Sequence, residues 1–182
     1  MSRVLIPLAP GFEELEAISM SNILRRAGIE VVTAGLHPGT VCASRGTVVV
    51  PDVLLEQVME DDFDLVVLPG GLPGADNLRD DPRIIHMLQR THAEGRLVGA
   101  ICAAPKVLAQ AGLLTGRRAT HYPGALGAEA LDGITDSVAA IEMDERVLTS
   151  RGPGTAMDFA LALVEQLVGR EKRDEVERAL VR

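Results

Sequence analysis

The sequence predicts an α/β fold in which helices cover both faces of a doubly wound, mostly parallel β-sheet. Strand-length apolar runs alternate with helical segments, an order that produces right-handed crossovers between parallel strands. Several runs are continuously apolar, as is typical of strands buried on both faces. The length of 182 residues suits one domain with its own core, and we expect a single domain over residues 1–182.

The first predicted elements are a strand over residues 3–9, a helix over residues 13–28 and a strand over residues 30–36. Gly28 is a typical helix stop. The helix carries its apolar residues on one face, at Leu15, Ile18, Ile23 and Leu24. Residues 40–53 have valines on both sides of an SRG turn, which predicts a small antiparallel excursion from the main sheet.

The same alternation continues through the middle of the chain. Helices are predicted over residues 53–60 and 81–95, and Asp81 is the expected N-cap of the second one. Continuous apolar strands begin at Asp64 and Arg96, and the second of these leads directly into a further helical segment.

The last part of the chain contains one more strand and two helices. Residues 146–169 predict a strand, a Gly-Pro-Gly loop and a long amphipathic helix. Residues 170–180 predict a charged terminal helix, which we interpret as a solvated face rather than a ligand site.

Charge and composition disfavour several classes of partner. The chain has 18 Lys and Arg residues against 26 Asp and Glu residues, a net charge of -8, which disfavours nucleic acid and anionic membranes. The apolar run after the N-terminus is too short for a signal peptide. No segment reaches the roughly 18 apolar residues of a membrane span, so we expect a cytoplasmic protein.

The cysteines and histidines do not match a metal site. Cys42 and Cys102 are far apart, and the four histidines are scattered without ligand spacing. In a reducing cytosol both cysteines are expected to be free thiols. The sequence therefore predicts no metal site.

Four unusual stretches follow predicted strands, and they are the candidate functional segments. They are residues 9–16 (APGFEELE), 69–77 (PGGLPGADN), 102–105 (CAAP) and 150–155 (SRGPGT). In open α/β sheets the ligand crevice lies beyond the carboxyl ends of the strands. We therefore expect these segments to converge.

Cys102 lies between small residues where an apolar strand gives way to a helix. The pattern of Ala100 to Ala104 resembles a nucleophile elbow, in which small neighbours leave room for a sharp turn. A helix N-terminus at this point is expected to stabilise the thiolate and lower the thiol pKa. The alternative is that Cys102 is a buried small apolar residue.

Gly70 and Gly71 directly follow a strand. Glycines at such a point let backbone N–H groups approach a ligand, as an oxyanion hole requires. A plain Gly-Pro turn is the alternative interpretation. A phosphate loop is excluded because no Lys-Ser or Lys-Thr pair follows.

Glu13, Glu14 and Glu16 lie in the first turn of a predicted helix, where acidic residues complement the helix dipole. One of these carboxyls, if turned into the crevice and desolvated, has a raised pKa and can hydrogen-bond a sulfur anion or move a proton. The pattern alone does not choose among the three.

These motifs together are similar to those of a known family. The stretches LIPLAPGFEELE, LPGGLPGADNL, AICAAP and TSRGPGT resemble, in order and spacing, the ThiJ/PfpI superfamily. The resemblance is to the branch of the parkinsonism-associated protein deglycase and its bacterial relative YajL, and it spans essentially the whole chain. It implies a flavodoxin-like fold and a homodimer.

The resemblance also implies roles for individual residues. Cys102 takes the place of the family's reactive cysteine, and Glu16 that of the protonated glutamate that hydrogen-bonds the sulfur. Amides at Gly70, Gly71 and Ala103 are expected to hold a substrate oxyanion. The residues expected to line the pocket are Gly152 and Pro153, with Glu13, His121 and Tyr122 as further candidates.

Two departures from the family pattern narrow the chemistry. Ala103 stands where the protease branch has a histidine, which disfavours a Cys-His peptidase. Tyr122 stands directly before Pro123, where the deglycase has a pocket histidine, and His121 lies one position earlier. A mechanism that needs an imidazole base is therefore in doubt.

The resemblance implies a cofactor-independent glyoxalase or deglycase that acts on methylglyoxal-like α-dicarbonyls or their early glycated adducts. Such an enzyme protects against carbonyl and oxidative stress. The alternative is a redox-sensing or chaperone-like dimer whose Cys102 is oxidised to sulfinate. Cys42 is interpreted as a bystander thiol near the dimer contact.

Overall fold

In the computed structural model, which describes residues 1–182, a seven-stranded sheet lies between two layers of helices. The strands are β1 (Arg3–Leu8), β2 (Glu30–Gly35), β3 (Val41–Cys42), β4 (Val48–Val49), β5 (Val53–Leu54), β6 (Leu65–Leu68), β7 (Leu97–Ile101), β8 (Arg118–Thr120), β9 (Thr135–Ser137), β10 (Ile141–Asp144) and β11 (Val147–Ser150). The helices are α1 (Glu14–Arg26), α2 (Gly74–Asp80), α3 (Pro82–Ala93), α4 (Pro105–Gln110), α5 (Ala156–Val168) and α6 (Arg170–Ala179).

The strand order of the main sheet is β10-β11-β7-β6-β1-β2-β5, and all of its pairs are parallel except β10 with β11. The predicted doubly wound, mostly parallel sheet is therefore confirmed. The chain runs outward from β1 to β2 and then returns to β6 on the other side of β1. This reversal opens a crevice beyond the carboxyl ends of β1 and β6, where open α/β sheets bind ligands.

Two apolar cores lie on opposite faces of the sheet, because successive side chains of a strand point to opposite sides. In β1, Val4 and Ile6 pack in the core beneath α1 and α5, whereas Leu5 packs in the core beneath α2, α3 and α4. Each buried Leu or Ile contributes roughly 1.5–3 kcal/mol through burial of apolar surface. These cores hold the strand ends in place around the crevice.

The structure confirms the antiparallel excursion and corrects other local predictions. β3 and β4 form the small antiparallel pair. The helix predicted over residues 53–60 is instead β5 followed by a 3-10 turn at Leu55–Val58. The short β5 pairs with β2 at the sheet edge, so tertiary pairing prevails over the helical pattern.

Four elements have no counterpart in the sequence prediction. α2 occupies residues interpreted as a loop, and its Gly, Asp and Asn residues have low helix propensity. Its Leu78 is fully buried, so tertiary packing stabilises it. The edge strand β10 and the small parallel pair β8 with β9 are the others. No helix is long and apolar enough to cross a membrane.

Candidate active site

Cys102 lies at the carboxyl end of β7, on a sharp turn. Its backbone has φ of 64°, in the left-handed region that non-glycine residues seldom adopt. The Cys102 N–H donates to the carbonyl of Ser150 at 2.9 Å, which ties the turn to the end of β11. Strained backbone of this kind persists only where its surroundings enforce it, and it concentrates at functional sites.

The small residues around Cys102 are explained by the space available. A Cβ on Gly70 would lie 2.7 Å from the Cys102 Cβ, so the end of β6 can approach the cysteine only as glycine. Ala103 and Ala104 are both buried. The sharp turn with small neighbours that the sequence predicts is therefore present.

Glu16 is fully buried beside the cysteine, in the first turn of α1. Its Oε2 accepts the Gly70 N–H at 2.7 Å, whereas its Oε1 is buried and has no hydrogen-bond partner. Burial raises the pKa of Glu16 to about 7; the bonds with Gly70 and Cys102 oppose the rise, and the charge of Glu13 adds to it. A carboxyl with this pKa can exchange a proton near neutral pH.

The thiol pKa is shifted in the direction opposite to the sequence prediction. Burial raises the pKa of Cys102 to about 12, and the charge and hydrogen bond of Glu16 add to the rise. The backbone N–H groups of Gly71 and Ala103 lower the pKa but do not offset burial. The expected helix effect is weak because α4 begins only at Pro105 and has 6 residues.

The two side chains therefore titrate as a pair. With pKa values of about 7 for Glu16 and about 12 for Cys102, the pair carries one negative charge and keeps one proton at pH values between these two. The alternative that Cys102 is only a small apolar core residue does not explain why Glu16 is fully buried beside it, because burial of an ionisable group is costly. The arrangement is that of a thiol with an adjacent proton acceptor.

The glycine turn after β6 contributes differently at its two positions. The Gly70 amide is engaged with Glu16, so the expectation that it holds a substrate oxyanion is corrected to a role in positioning the carboxyl. Gly71 has φ of 86°, and a Cβ there would lie 2.5 Å from the Glu13 nitrogen. The Gly71 and Ala103 amides both interact with the sulfur and can serve a developing oxyanion beside it.

The other two glutamates of α1 have structural roles. Glu13 is the N-cap of α1, and its carboxylate accepts the Glu16 N–H at 2.8 Å. Glu14 accepts the Arg45 N–H at 3.2 Å and so holds the β3-β4 turn. Of the three candidates, only Glu16 lies beside the sulfur, whereas Glu13 affects the site through its cap and its charge.

His121 is buried, but its ring is engaged with groups other than the thiol. Nδ1 lies 2.7 Å from the Tyr122 carbonyl oxygen, so it donates to that oxygen. Nε2 is buried 3.2 Å from Oδ1 of Asp136 but makes no hydrogen bond. Sequence reasoning did not identify Asp136, because no local pattern connects it with His121. The imidazole makes no hydrogen bond with the Cys102 sulfur, in keeping with the doubt about an imidazole base.

Tyr122 and the loop after β11 form one side of the site. The Tyr122 N–H donates to the Cys102 carbonyl at 2.8 Å. Gly152 is buried against the Tyr122 ring, and Pro153 follows it at the start of a 3-10 turn. The Gly152 N–H is held by the Thr155 hydroxyl at 3.2 Å.

The five main surface clefts, of about 470–670 Å³, lie away from Cys102 and Glu16, and none is lined by either residue. The buried pair is nevertheless the candidate site, because only the pair combines a nucleophile with shifted pKa values.

Comparison with protein families identifies the group to which this arrangement belongs. The model of the DJ-1/PfpI family matches residues 2–166. The chain belongs to the DJ-1/PfpI family. The resemblance found in the motifs is thus confirmed over most of the chain.

Similar proteins occur in animals and plants. Protein dj-1beta of Drosophila melanogaster is 43% identical over 178 residues, which are 97% of this chain and 95% of the fly protein. The glutathione-independent glyoxalase DJR-1.2 of Caenorhabditis elegans is 38% identical, over 92% of this chain and 89% of the worm protein. Protein DJ-1 homolog A of Arabidopsis thaliana is 43% identical, but the chain spans only 46% of that protein.

Solved structures share the whole fold. The crystal structure of Drosophila melanogaster DJ-1beta has a TM-score of 0.95 and 42% identity, and the alignment covers 100% of this chain and 98% of that one. The structure of oxidized Toxoplasma gondii DJ-1 has a TM-score of 0.92 and 36% identity, with the same coverage. The predicted flavodoxin-like α/β fold of this family is thereby confirmed.

Proposed function

We propose that this protein is a cysteine-dependent, cofactor-independent glyoxalase or deglycase for methylglyoxal-like α-dicarbonyls or their early adducts. The observation that carries the proposal is the buried pair of Cys102 and Glu16, which keeps one proton, with the Gly71 and Ala103 amides at the sulfur. The similarity to a relative named as a glutathione-independent glyoxalase supports the same reaction class.

The first step is addition of the thiol to the aldehyde carbon. The sulfur forms a bond to carbon while its proton passes to the Glu16 carboxylate, so a low thiol pKa is not required. The electron pair of the carbonyl moves to oxygen. The amides of Gly71 and Ala103 stabilise the resulting oxyanion, which takes a proton to give a hemithioacetal.

The second step converts the adduct into a hydroxy acid. Glu16 carries a proton from the former aldehyde carbon to the adjacent ketone carbon, while the hydroxyl proton of the hemithioacetal passes to the ketone oxygen, which yields a thioester of a lactate-type acid. Water then hydrolyses the thioester and restores the thiol. The sum is an α-dicarbonyl plus water giving a hydroxy acid, with no net oxidation and no external cofactor.

The proposal is tested by turnover of methylglyoxal with purified protein. Cys102→Ser removes the nucleophile and is expected to lower kcat/KM by roughly 10³-fold or more. Glu16→Gln keeps the shape but cannot accept the proton, and we expect a loss of about 10²-fold or more.

Cys42→Ser is the matched control, because Cys42 is an exposed thiol. The only hydrogen bond of its sulfur is to the carbonyl of the neighbouring Ala43. The variant is expected to keep full activity. Absence of turnover in the wild type, or equal activity of Cys102→Ser and the wild type, would contradict the proposal.

A second function is favoured because no imidazole is hydrogen-bonded to the sulfur: Ala103 directly follows Cys102, and His121 Nδ1 donates to the Tyr122 carbonyl. In this alternative the protein is a redox sensor or chaperone-like dimer, and peroxide supplies two oxygen atoms to convert Cys102 to sulfinate. A protonated Glu16 and the two amides stabilise that anion. Addition of two oxygens to Cys102 alone, without methylglyoxal turnover, would favour this role.

The proposal includes a homodimer. On α1, Leu15 is 51% exposed and Ile18 is 46% exposed, although the sequence pattern places both on the apolar face of the helix. Their spacing of three residues puts them side by side on one surface. An exposed apolar pair of this kind supports association through α1.

A further inference from the structure

Exposed aromatic side chains are rare in this protein. The chain has three Phe, one Tyr and no Trp. The three phenylalanines are almost completely buried, whereas Tyr122 is 51% exposed. Among the Phe and Tyr rings, the only one that is exposed therefore lies in the segment that contacts the candidate nucleophile.

The backbone fixes Tyr122 next to Cys102. The Tyr122 N–H donates to the Cys102 carbonyl at 2.8 Å, and the Cys102 N–H donates to the Ser150 carbonyl at 2.9 Å. The segment carrying Tyr122 and the loop that follows β11 thus flank the cysteine from two sides. Gly152 lies in that loop, two residues after Ser150.

Gly152 is in contact with the ring. Its φ of 168° is extended backbone that any residue adopts, so the conformation does not require glycine. A Cβ at this position would lie 3.3 Å from Cδ2 and 3.9 Å from Cε2 of Tyr122. A side chain at position 152 would crowd the aromatic ring, which lies against the backbone of this loop.

We propose that the Tyr122 ring is a specificity-determining wall of the Cys102 site that contacts the substituent of the dicarbonyl substrate and favours planar aromatic substituents over methyl. The inference rests on the proposed function and names its substrate class. An aryl group of the substrate gains an offset or edge-to-face contact with the ring, which a methyl group cannot make.

The test compares phenylglyoxal with methylglyoxal as substrates. In Tyr122→Ala the ratio of kcat/KM for phenylglyoxal to that for methylglyoxal is expected to fall roughly 3- to 10-fold, since an aromatic pair contributes on that scale. The kcat/KM for methylglyoxal is expected to fall less than that for phenylglyoxal, because only the aryl group loses a ring contact. Tyr122→Phe retains the ring and is expected to restore the wild-type ratio.

A purely structural role of Tyr122 predicts a different pattern. If the ring only supports the loop, both substrates lose activity together and the ratio stays constant, which overturns the proposal. A ratio that falls equally in Tyr122→Phe and Tyr122→Ala also overturns it, because the hydroxyl and not the ring would then be responsible.

A second assay separates failure of this inference from failure of the proposed function. In a Cys42→Ser background, Cys102 is alkylated with N-phenylmaleimide or N-ethylmaleimide, and each rate is divided by that of a small free thiol. The normalised ratio of phenyl to ethyl reagent is expected to fall several-fold in Tyr122→Ala. This result stands even if neither glyoxal is turned over, and an unchanged ratio overturns the proposal.

Discussion

Replacement of Gly70 by alanine tests whether the spacing between Cys102 and Glu16 is essential. The added Cβ would lie 2.7 Å from the Cys102 Cβ, 2.9 Å from Glu16 Oε2 and 2.9 Å from the Ile101 carbonyl oxygen. Two of these atoms belong to the backbone or to a Cβ and cannot rotate away. No positive φ is involved at Gly70, so the effect reports on contacts alone.

The magnitude follows from two contributions. Overpacking of a filled core costs about 1–3 kcal/mol. Displacement of Glu16 weakens its 2.7 Å bond from the Gly70 N–H, and a hydrogen bond to a charged group is worth about 1.5–3 kcal/mol. We therefore expect a loss of roughly 2–5 kcal/mol in the free energy of unfolding. Misplacement of the pair is expected to lower turnover by about 10²-fold.

Urea denaturation followed by circular dichroism measures the stability, and methylglyoxal turnover measures the function. Gly127→Ala is the matched control, because a Cβ there meets nothing within 4 Å. It is expected to change the free energy of unfolding by less than about 0.5 kcal/mol. Equal stability and activity of the Gly70→Ala and Gly127→Ala variants would refute the reasoning.

Two further predictions concern pH and assembly. The pKa of Glu16 is raised in the folded state from the ordinary 4.5 to about 7, so its contribution to stability is complete below pH 4.5 and is lost as the pH rises through 7. The free energy of unfolding of Glu16→Gln, relative to that of the wild type, should therefore increase by about 3 kcal/mol between pH 4 and pH 8. An equal difference at both pH values would contradict this. Leu15→Asp places a charge on the exposed apolar surface of α1 and is expected to convert the dimer into a monomer, as measured by sedimentation velocity. The control Val168→Asp, at another exposed apolar site, should remain a dimer. Dimers in both variants would contradict association through α1.

Much of the architecture could be predicted because it depends on local pattern. The continuous apolar run at β6 and the sharp change from strand to helix after β7 indicate a buried parallel sheet from composition alone. By contrast, α2 was missed because its residues favour turns, and tertiary packing of its buried Ala75 and Leu78 stabilises it as a helix. The edge strand β10 depends on pairing with β11, which no local pattern shows.

The residues of the candidate site could be predicted from the sequence, but their pKa values and hydrogen bonds could not. The positions of Cys102 and Glu16 follow from strand ends that meet at one edge of the sheet and from the family resemblance. The pKa of Cys102 depends on how deeply the thiol is buried and on the charge beside it, which the sequence does not reveal. The engagement of the Gly70 amide with Glu16 likewise appears only in three dimensions.

The most direct test of the central claim is the pH dependence of Cys102 alkylation by iodoacetamide in the Cys42→Ser background. If Glu16 accepts the thiol proton, the rate rises with a midpoint near pH 7, the pKa of that carboxyl. In Glu16→Gln the rise is then expected to move to higher pH by more than about one unit. A profile with the same midpoint in both proteins would show that the two side chains do not act as a pair.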